Sequence, residues 1–157
     1  MTERYFEDYA VGASDEHGPI RVEEAEVIEF GQRFDPQPIH IDRAAAEAGP
    51  YGGLIASGWH TCALMMRLLV DQFLSPASSL GSPGVDELRW LRPVRPGDRL
   101  TVRTVVTEAR LSRSKPDRGL IRTRVELINQ AGEVALSLIA MNLVRSRQGC
   151  GPSERES

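Results

Sequence analysis

Residues 34–40 read Phe-Asp-Pro-Gln-Pro-Ile-His, which places a carboxylate, Asp35, five residues before an imidazole, His40, on a turn stiffened by two prolines. Just downstream, residues 52–59 read Gly-Gly-Leu-Ile-Ala-Ser-Gly-Trp and lead into the most apolar helix that the sequence predicts. A carboxylate and an imidazole can move protons near neutral pH, and a helix N-terminus offers free N–H groups to a developing negative charge. The two stretches together predict a small active site, and the rest of the chain is the scaffold that joins them.

The same two residues also have a structural interpretation. An aspartate next to a proline is commonly a turn former, and a single histidine commonly has no chemical role. Spacing alone therefore leaves both a catalytic and a structural role open for Asp35 and His40.

Length and composition restrict the class of protein. The 157 residues, of which 41% are hydrophobic, suit one domain with one core. A net charge of −3 argues against a general nucleic-acid binder, which needs a clear excess of basic residues. We expect no signal peptide, because no apolar run follows a basic start. The apolar stretch 54–74 is interrupted by His60, Arg67 and Asp71, which indicates a buried helix rather than a membrane span.

The two cysteines indicate the compartment. Cys62 falls within the apolar helix and Cys150 within a polar tail, so we expect no disulfide between them. A reducing cytoplasm fits this pattern best.

Hydrophobic periodicity predicts an α+β domain over residues 1–145 and a disordered tail over 146–157. Helices are predicted over 23–34, 43–47 and 57–74, and strands over 13–22, 85–91, 100–107, 120–128 and 134–144. The long helix is apolar almost all round, so we expect the sheet to enclose it, with Arg67 and Asp71 on its one wet side. Ser57 is its candidate N-cap. An antiparallel sheet wrapped around one helix would leave an edge that a second copy of the chain could extend.

Three stretches carry a resemblance to a known family: residues 34–40, residues 50–58 and residues 88–98, the last reading Leu-Arg-Trp-Leu-Arg-Pro-Val-Arg-Pro-Gly-Asp. Their joint occurrence resembles the MaoC-like dehydratases, which have the hotdog fold and include the R-specific enoyl-CoA hydratases. The resemblance extends over roughly residues 5–145.

The resemblance implies roles for individual residues. In the family pattern Asp-x-Asn-Pro-aliphatic-His, the aspartate and the histidine form the catalytic dyad, and they fall on Asp35 and His40. Gln37 stands where the family has asparagine, and Ser57 stands where the family usually has histidine, so this chain departs from the pattern twice. Gly58 is kept, and its backbone N–H would be the oxyanion donor.

Further residues are candidates for the surroundings of this site. Gln37 could orient substrate or water or stabilise the turn, Ser57 and His60 could support the dyad, and His60 could equally be idle. Side chains that could line the acyl pocket are Tyr51, Met65 and Met66. The residues that could meet the phosphates of coenzyme A, or be ordinary solvated charges, are Arg92, Arg95, Arg113, Lys115 and Arg118. Trp90 is expected in the core or at an interface. No cluster has metal-ligand spacing, and the chemistry requires no metal or other cofactor.

The leading hypothesis is an (R)-specific enoyl-CoA hydratase, a lyase of fatty acid metabolism that adds water reversibly across the double bond of an acyl-CoA substrate. It would work as a homodimer or a dimer of dimers, without nucleic acid or membrane. Two alternatives remain open: an acyl-CoA thioesterase on the same fold, and a non-catalytic acyl-binding module, which the departures at Gln37 and Ser57 motivate.

Overall fold

The computed structural model describes residues 3–149, which form four helices, five strands and two short 3-10 turns. The helices are α1 (Glu24–Phe34), α2 (Pro38–Ile41), α3 (Arg43–Ala48) and α4 (Gly58–Gln72). The strands are β1 (Ser14–Arg21), β2 (Gly84–Trp90), β3 (Arg99–Leu111), β4 (Arg118–Ile128) and β5 (Val134–Arg145). The 3-10 turns are Phe6–Asp8 and Arg147–Gly149.

The five strands form one antiparallel sheet in the order β1-β3-β4-β5-β2. Alternate residues of β3, from Leu100 and Val102 to Thr104 and Val106, are buried on the inner face, as the period-two pattern predicts. The tight turn between β4 and β5 is held by the Asn129 side chain, which accepts hydrogen bonds from two backbone N–H groups in the turn. The predicted antiparallel sheet is therefore confirmed, with β1 and β2 as its two edges.

Helix α4 packs against the inner face of the sheet and supplies much of the core. Leu64, Leu68 and Leu69 are each at most 7% exposed and lie in the same cluster as the buried residues of β3, β4 and β5. This is the predicted arrangement of a sheet wrapped around one long helix, the hotdog fold. The predicted helix bounds, 57–74, differ from the observed Gly58–Gln72 by one residue at the start and two at the end.

One face of α4 is open, which corrects the expectation that the helix is enclosed except at Arg67 and Asp71. Trp59, Met66 and Val70 are 61%, 41% and 40% exposed, so apolar side chains share the exposed face with the two charged ones. The sheet covers one side of the helix, and residues 3–149 supply no further strand to cover the other side.

Two local predictions also need correction. The residues after Gln37, predicted as extended chain or a rigid turn, form the one-turn helix α2, because a proline at the first helical position already has a helical φ and needs no N–H partner. Ser146, placed in the predicted disordered tail, is buried and bonds the carboxylate of Glu7. Residues 150–157 of that tail lie outside the described residues.

Candidate active site

A pocket of about 480 Å³ opens where α2, the N-terminus of α4 and the end of β2 meet. Its lining includes Asp35, Gln37, His40 and Gly58, all singled out in the sequence. Its other walls are formed by Tyr51, Ile55, Ala56, Trp59, Thr61, Trp90, Leu91, Arg92, Pro93 and Val94. The two stretches around which the sequence is organised therefore line one cavity.

Asp35 and His40 are brought together by the short path between α1 and α2. Helix α1 stops at Phe34 because the following residue precedes a proline, and Asp35 leaves the helical region with φ −151° and ψ 69°. The chain then turns tightly, with the Gln37 N–H donating to the Asp35 carbonyl at 2.8 Å. One turn of α2 places His40 Nε2 3.2 Å from Asp35 Oδ2.

Gly31 on α1 makes room for this arrangement. A Cβ at Gly31 would lie 2.7 Å from the Ile41 side chain and 3.0 Å from His40 Cβ, both far inside ordinary contact distance. Glycine is required here by close approach and not by an unusual φ. Helix α2 can therefore rest directly on α1, with the imidazole of His40 only 4% exposed.

The hydrogen bonds of His40 fix where its proton resides. Nδ1 is 2.7 Å from the carbonyl oxygen of Ile55, and a carbonyl can only accept, so Nδ1 carries a hydrogen and donates it. In the neutral imidazole Nε2 is then a bare acceptor. Because the nearby Asp35 Oδ2 is also an acceptor when ionised, the pair calls for a proton, carried by Nε2 or supplied by a molecule in the pocket that contacts both atoms. This arrangement is suited to handling the protons of a bound water.

Asp35 is held by two further donors, from the two positions at which the chain departs from the family pattern. Gln37 Nε2 donates to Oδ1 at 2.8 Å, and Ser57 Oγ donates to Oδ2 at 2.7 Å. These two hydrogen bonds, the one from Gln37 foremost, lower the pKa of Asp35 below its ordinary value, and the charge of His40 lowers it further. Ser57 stands at the N-cap position of α4, as predicted, but its hydroxyl binds Asp35 and does not cap the helix.

Gly58 is the first residue of α4, and its N–H has no hydrogen-bond partner among residues 3–149. First-turn N–H groups point out of the helix along its axis, and here they point toward the pocket that Gly58 and Trp59 line. The indole of Trp90 covers the Cα of Gly58, and its Nε1 donates to the Gly58 carbonyl at 2.9 Å. A helix N-terminus in this position can stabilise an oxyanion.

The structure places three of the predicted surrounding residues elsewhere. His60 stacks on Phe30 of α1, with ring centroids 5.0 Å apart and planes at 11°, and does not line the pocket. Burial lowers the pKa of His60, so it is a neutral packed side chain. Met65 lies in the hydrophobic core and Met66 is exposed on the open face of α4, and neither is among the residues that line this pocket. Tyr51, in contrast, lies at the pocket mouth.

The five basic residues separate into two groups. Arg92 lines the pocket and pairs with Glu133 at 2.7 Å, and Arg95 Nη2 donates to the carbonyl of Tyr51 at 2.6 Å. Arg113 and Lys115 lie in the β3–β4 connection and Arg118 is the first residue of β4, all at the opposite end of the sheet. The thirteen residues of β3 span about 40 Å. Only the first group can meet a molecule bound in this copy's pocket.

Several pocket residues were not singled out in the sequence. The backbone carbonyl of Ile55, which fixes the tautomer of His40, leaves no mark in sequence patterns. Trp59 and Trp90 form an edge-to-face pair at the mouth, with centroids 5.2 Å apart. Trp90 is 45% exposed and lines the pocket, so it does not lie in the core, and a position at an interface stays a prediction. It is the last residue of β2 and belongs to the stretch 88–98, which is the one sequence feature that could have indicated this.

Among residues 3–149, no three His, Cys, Asp or Glu side chains converge as metal ligands would. No helix in that part of the chain combines the length and apolar character needed to cross a membrane.

Comparison with known proteins agrees with this geometry. The profile of the MaoC-like domain family matches residues 9–129. The crystal structure of the MaoC-like dehydratase from Rhodospirillum rubrum is similar at 42% identity and a TM-score of 0.82, over 92% of this chain and 98% of that one. The R-hydratase PhaJ1 of Pseudomonas aeruginosa is similar at 28% identity and a TM-score of 0.71, over 90% and 86% of the two chains.

Another relative is a longer protein than this chain. The mesaconyl-CoA hydratase of Cereibacter sphaeroides is 30% identical over 162 aligned residues, which include 96% of this chain but 43% of that protein. The family match covers well over half of the chain, and the structural neighbours share its sheet and helices. With Asp35, His40 and Gly58 gathered in one pocket, the chain belongs to the MaoC-like dehydratase family of hotdog proteins.

Proposed function

We propose that this protein is an (R)-specific enoyl-CoA hydratase, which adds water reversibly to the double bond of an enoyl thioester. The observation that carries the proposal is the pair formed by Asp35 and His40, with His40 Nε2 3.2 Å from Asp35 Oδ2 in the pocket beside the N-terminus of α4. The names of the R-hydratase and mesaconyl-CoA hydratase relatives support the reaction class.

The geometry suits a water that contacts both Asp35 Oδ2 and His40 Nε2 from the pocket side, because these two atoms are only 3.2 Å apart. Nε2 accepts a proton from this water as its oxygen bonds to Cβ of the substrate. The electrons of the double bond move toward the thioester, whose oxygen gains negative charge and accepts the N–H of Gly58. The dyad then returns one proton to Cα, so that one H and one OH have been added and the dyad is restored. A donor such as Gly58 is worth about 3 kcal/mol in the transition state.

The two departures from the family pattern are compatible with this chemistry. A non-catalytic module has no need of an ionised, precisely oriented carboxylate in its pocket, yet Gln37 and Ser57 both direct their donors at Asp35. This observation favours an enzyme over the acyl-binding alternative. In the coenzyme A part of the substrate, the phosphates would meet Arg92 or Arg95 at the mouth.

We also propose that the working unit is at least a homodimer built on β2. This edge strand has no partner on its outer side within residues 3–149, and Val85 on it is 48% exposed. The other edge, β1, is a poorer template, because Pro19 has no N–H and the register breaks between His17 and Ile20. If the β2 strands of two copies paired about a twofold axis, the sheets of the two copies would form one continuous sheet. The dimer would also cover apolar side chains on the open face of α4, such as Met66.

The cytoplasmic location inferred from the cysteines remains a prediction.

The experiment that tests the proposal is an assay of the purified protein with a panel of trans-enoyl-CoA esters, following loss of the conjugated-enoyl absorbance and release of free thiol in parallel. We expect absorbance to fall without thiol release, with chiral analysis giving the (R)-3-hydroxyacyl product. Asp35→Asn and His40→Gln should each lower kcat by about 100-fold or more. Asp42→Asn, which alters the carboxylate that caps α3 outside the pocket, is the matched control and should leave kcat unchanged.

Other outcomes would contradict the proposal in different ways. Thiol release would identify an acyl-CoA thioesterase. Acyl-CoA binding in a titration, with no turnover of any enoyl or saturated thioester, would identify a binding module.

A further inference from the structure

The side chain of Gln37 does not stabilise its own turn. Gln37 occupies the N-cap position of α2, but its side chain makes no capping hydrogen bond. The turn is closed by backbone groups alone: the Gln37 N–H donates to the Asp35 carbonyl at 2.8 Å, and the His40 N–H donates to the Gln37 carbonyl at 2.9 Å. The exposed amide is therefore free for another task, and its Nε2 lies 2.8 Å from Asp35 Oδ1.

The two oxygens of Asp35 have different partners as a result. Oδ1 accepts from Gln37, whereas Oδ2 accepts from Ser57 Oγ and faces His40 Nε2. The final torsion of an aspartate side chain is broad and nearly twofold, so an unrestrained carboxylate turns easily and exchanges its oxygens. A donor on each oxygen restricts that rotation. Without Gln37, only Ser57 would determine the plane of the carboxylate that faces the imidazole.

We propose that Gln37 is a positioning residue that acts through Asp35: its amide fixes the plane of the carboxylate and keeps Oδ2 directed at the proton shared with His40. This inference rests on the proposed hydratase function for its kinetic consequences, but the contact itself is independent of the reaction. It differs from a role in binding substrate or water, because it assigns one hydrogen of the Nε2 amide to Asp35 Oδ1, and the variants below distinguish the two roles.

The charge state of the carboxylate follows from the same contact. An amide N–H donates more strongly to an ionised carboxylate than to a carboxylic acid, so the bond favours the anion. His40 is the titratable group that faces Asp35, and Gln37 and Ser57 are its neutral neighbours. The lowered pKa of Asp35, to which Gln37 contributes most, is consistent with this.

The test replaces the amide by an isosteric side chain without donors, Gln37→Met. We expect kcat to fall on the order of tenfold, as for a hydrogen bond to a charged group, with KM changed less than about twofold. The acid limb of the profile of kcat/KM against pH should move to higher pH, because Asp35 would protonate more easily. Gln37→Glu should move that limb further, since a second carboxylate beside Asp35 adds like-charge repulsion.

Gln130→Met is the matched control. Gln130 is an exposed glutamine whose Nε2 also donates to a carboxylate, Asp98 Oδ1, at 3.0 Å, but it lies in the turn before β5 and outside the pocket. Its replacement should leave kcat, KM and the pH profile unchanged. Thermal unfolding of all variants checks that the fold is intact, which we expect because Gln37 is exposed.

A direct measurement separates this inference from the reaction assignment. The pKa of Asp35 can be followed by carbon NMR of its carboxyl group in the wild type, Gln37→Met and Gln37→Glu, without any substrate. We expect the pKa to rise in that order, whether or not the protein proves to be a hydratase. An Asp35 pKa that is equal in all three proteins would overturn the inference. So would a Gln37→Met enzyme whose KM rises while kcat and the acid limb stay in place, which would assign Gln37 to substrate binding.

Discussion

Replacing Gly58 by alanine should damage both the fold and the site, because the indole of Trp90 already occupies the space. A Cβ at position 58 would lie 2.5 Å from Trp90 Cε2 and 2.8 Å from both Cδ2 and Nε1. Carbon atoms in contact are ordinarily about 3.5–4.0 Å apart, so the ring must retreat by about 1 Å. That movement would lengthen the bond from Nε1 to the Gly58 carbonyl, now 2.9 Å, beyond hydrogen-bond distance.

The expected magnitudes follow from these distances. Overpacking costs about 1–3 kcal/mol and a lost hydrogen bond about 1 kcal/mol, but Trp90 is 45% exposed and can swing outward to relieve part of the clash. We therefore expect the free energy of unfolding to fall by about 2 kcal/mol, which for a chain of this length corresponds to roughly 4–8 °C in Tm. If the helix start moves instead, the Gly58 N–H is displaced, and kcat should fall by about 100-fold.

Thermal unfolding and the enoyl-CoA assay measure the two effects separately. Gly53→Ala is the matched control: it lies in the same stretch, and its Cβ would meet only the guanidinium of Arg95, at an ordinary 3.5 Å. A Trp90→Ala background removes the clashing ring, so Gly58→Ala should cost far less there than in the wild type. An unchanged Tm and kcat in the single variant, or an equal cost in both backgrounds, would refute the steric argument.

Two further predictions concern assembly and pH. Val85→Lys should turn the proposed dimer into a monomer in sedimentation experiments, because a charged side chain on an edge strand opposes pairing. Val11→Lys, at a valine that lies outside the strands and is also exposed, should remain a dimer. A dimeric Val85→Lys protein or a monomeric wild type would exclude pairing through β2. Burial lowers the pKa of His60 below its unfolded value of about 6.5, so the unfolded chain binds more protons and stability should fall as the pH drops below about 6.5. His60→Phe, which keeps a ring against Phe30, should lose less Tm between about pH 8 and about pH 5, and identical pH dependence in the two proteins would contradict this.

The sequence predicts the scaffold of the site well, because the scaffold depends on local patterns. The apolar run before Leu74 is long enough to define α4 within two residues, and the period-two alternation from Leu100 defines β3. Asp35 and His40 are only five residues apart in the chain, and the proline-stiffened turn between them keeps them close in space. Their contact at 3.2 Å needs little tertiary information.

The sequence predicts less well which side chains reach the pocket, because this depends on the direction in which each side chain points in the fold. His60 follows Gly58 by two residues, which is a rotation of about 200° around the helix, so the two face opposite sides. Met65 is on the same face as Gly58 but about 10 Å further along the axis, beyond the end of the pocket and inside the core. The local sequence predicts that Ser57 caps α4 with its hydroxyl. In the fold, the end of α1 brings Asp35, 22 residues earlier, close to Ser57, and the hydroxyl donates to that carboxylate instead.

The bond between His40 and the carbonyl of Ile55 separates two properties of the site that evolution can change one at a time. The main chain of Ile55 fixes which ring nitrogen of His40 donates, while residue 55 also forms part of the pocket wall. A substitution at position 55 would reshape the cavity without removing the carbonyl. Under the proposed function, duplicated copies of such a gene could therefore diverge toward acyl groups of different size while the orientation of the imidazole is inherited unaltered.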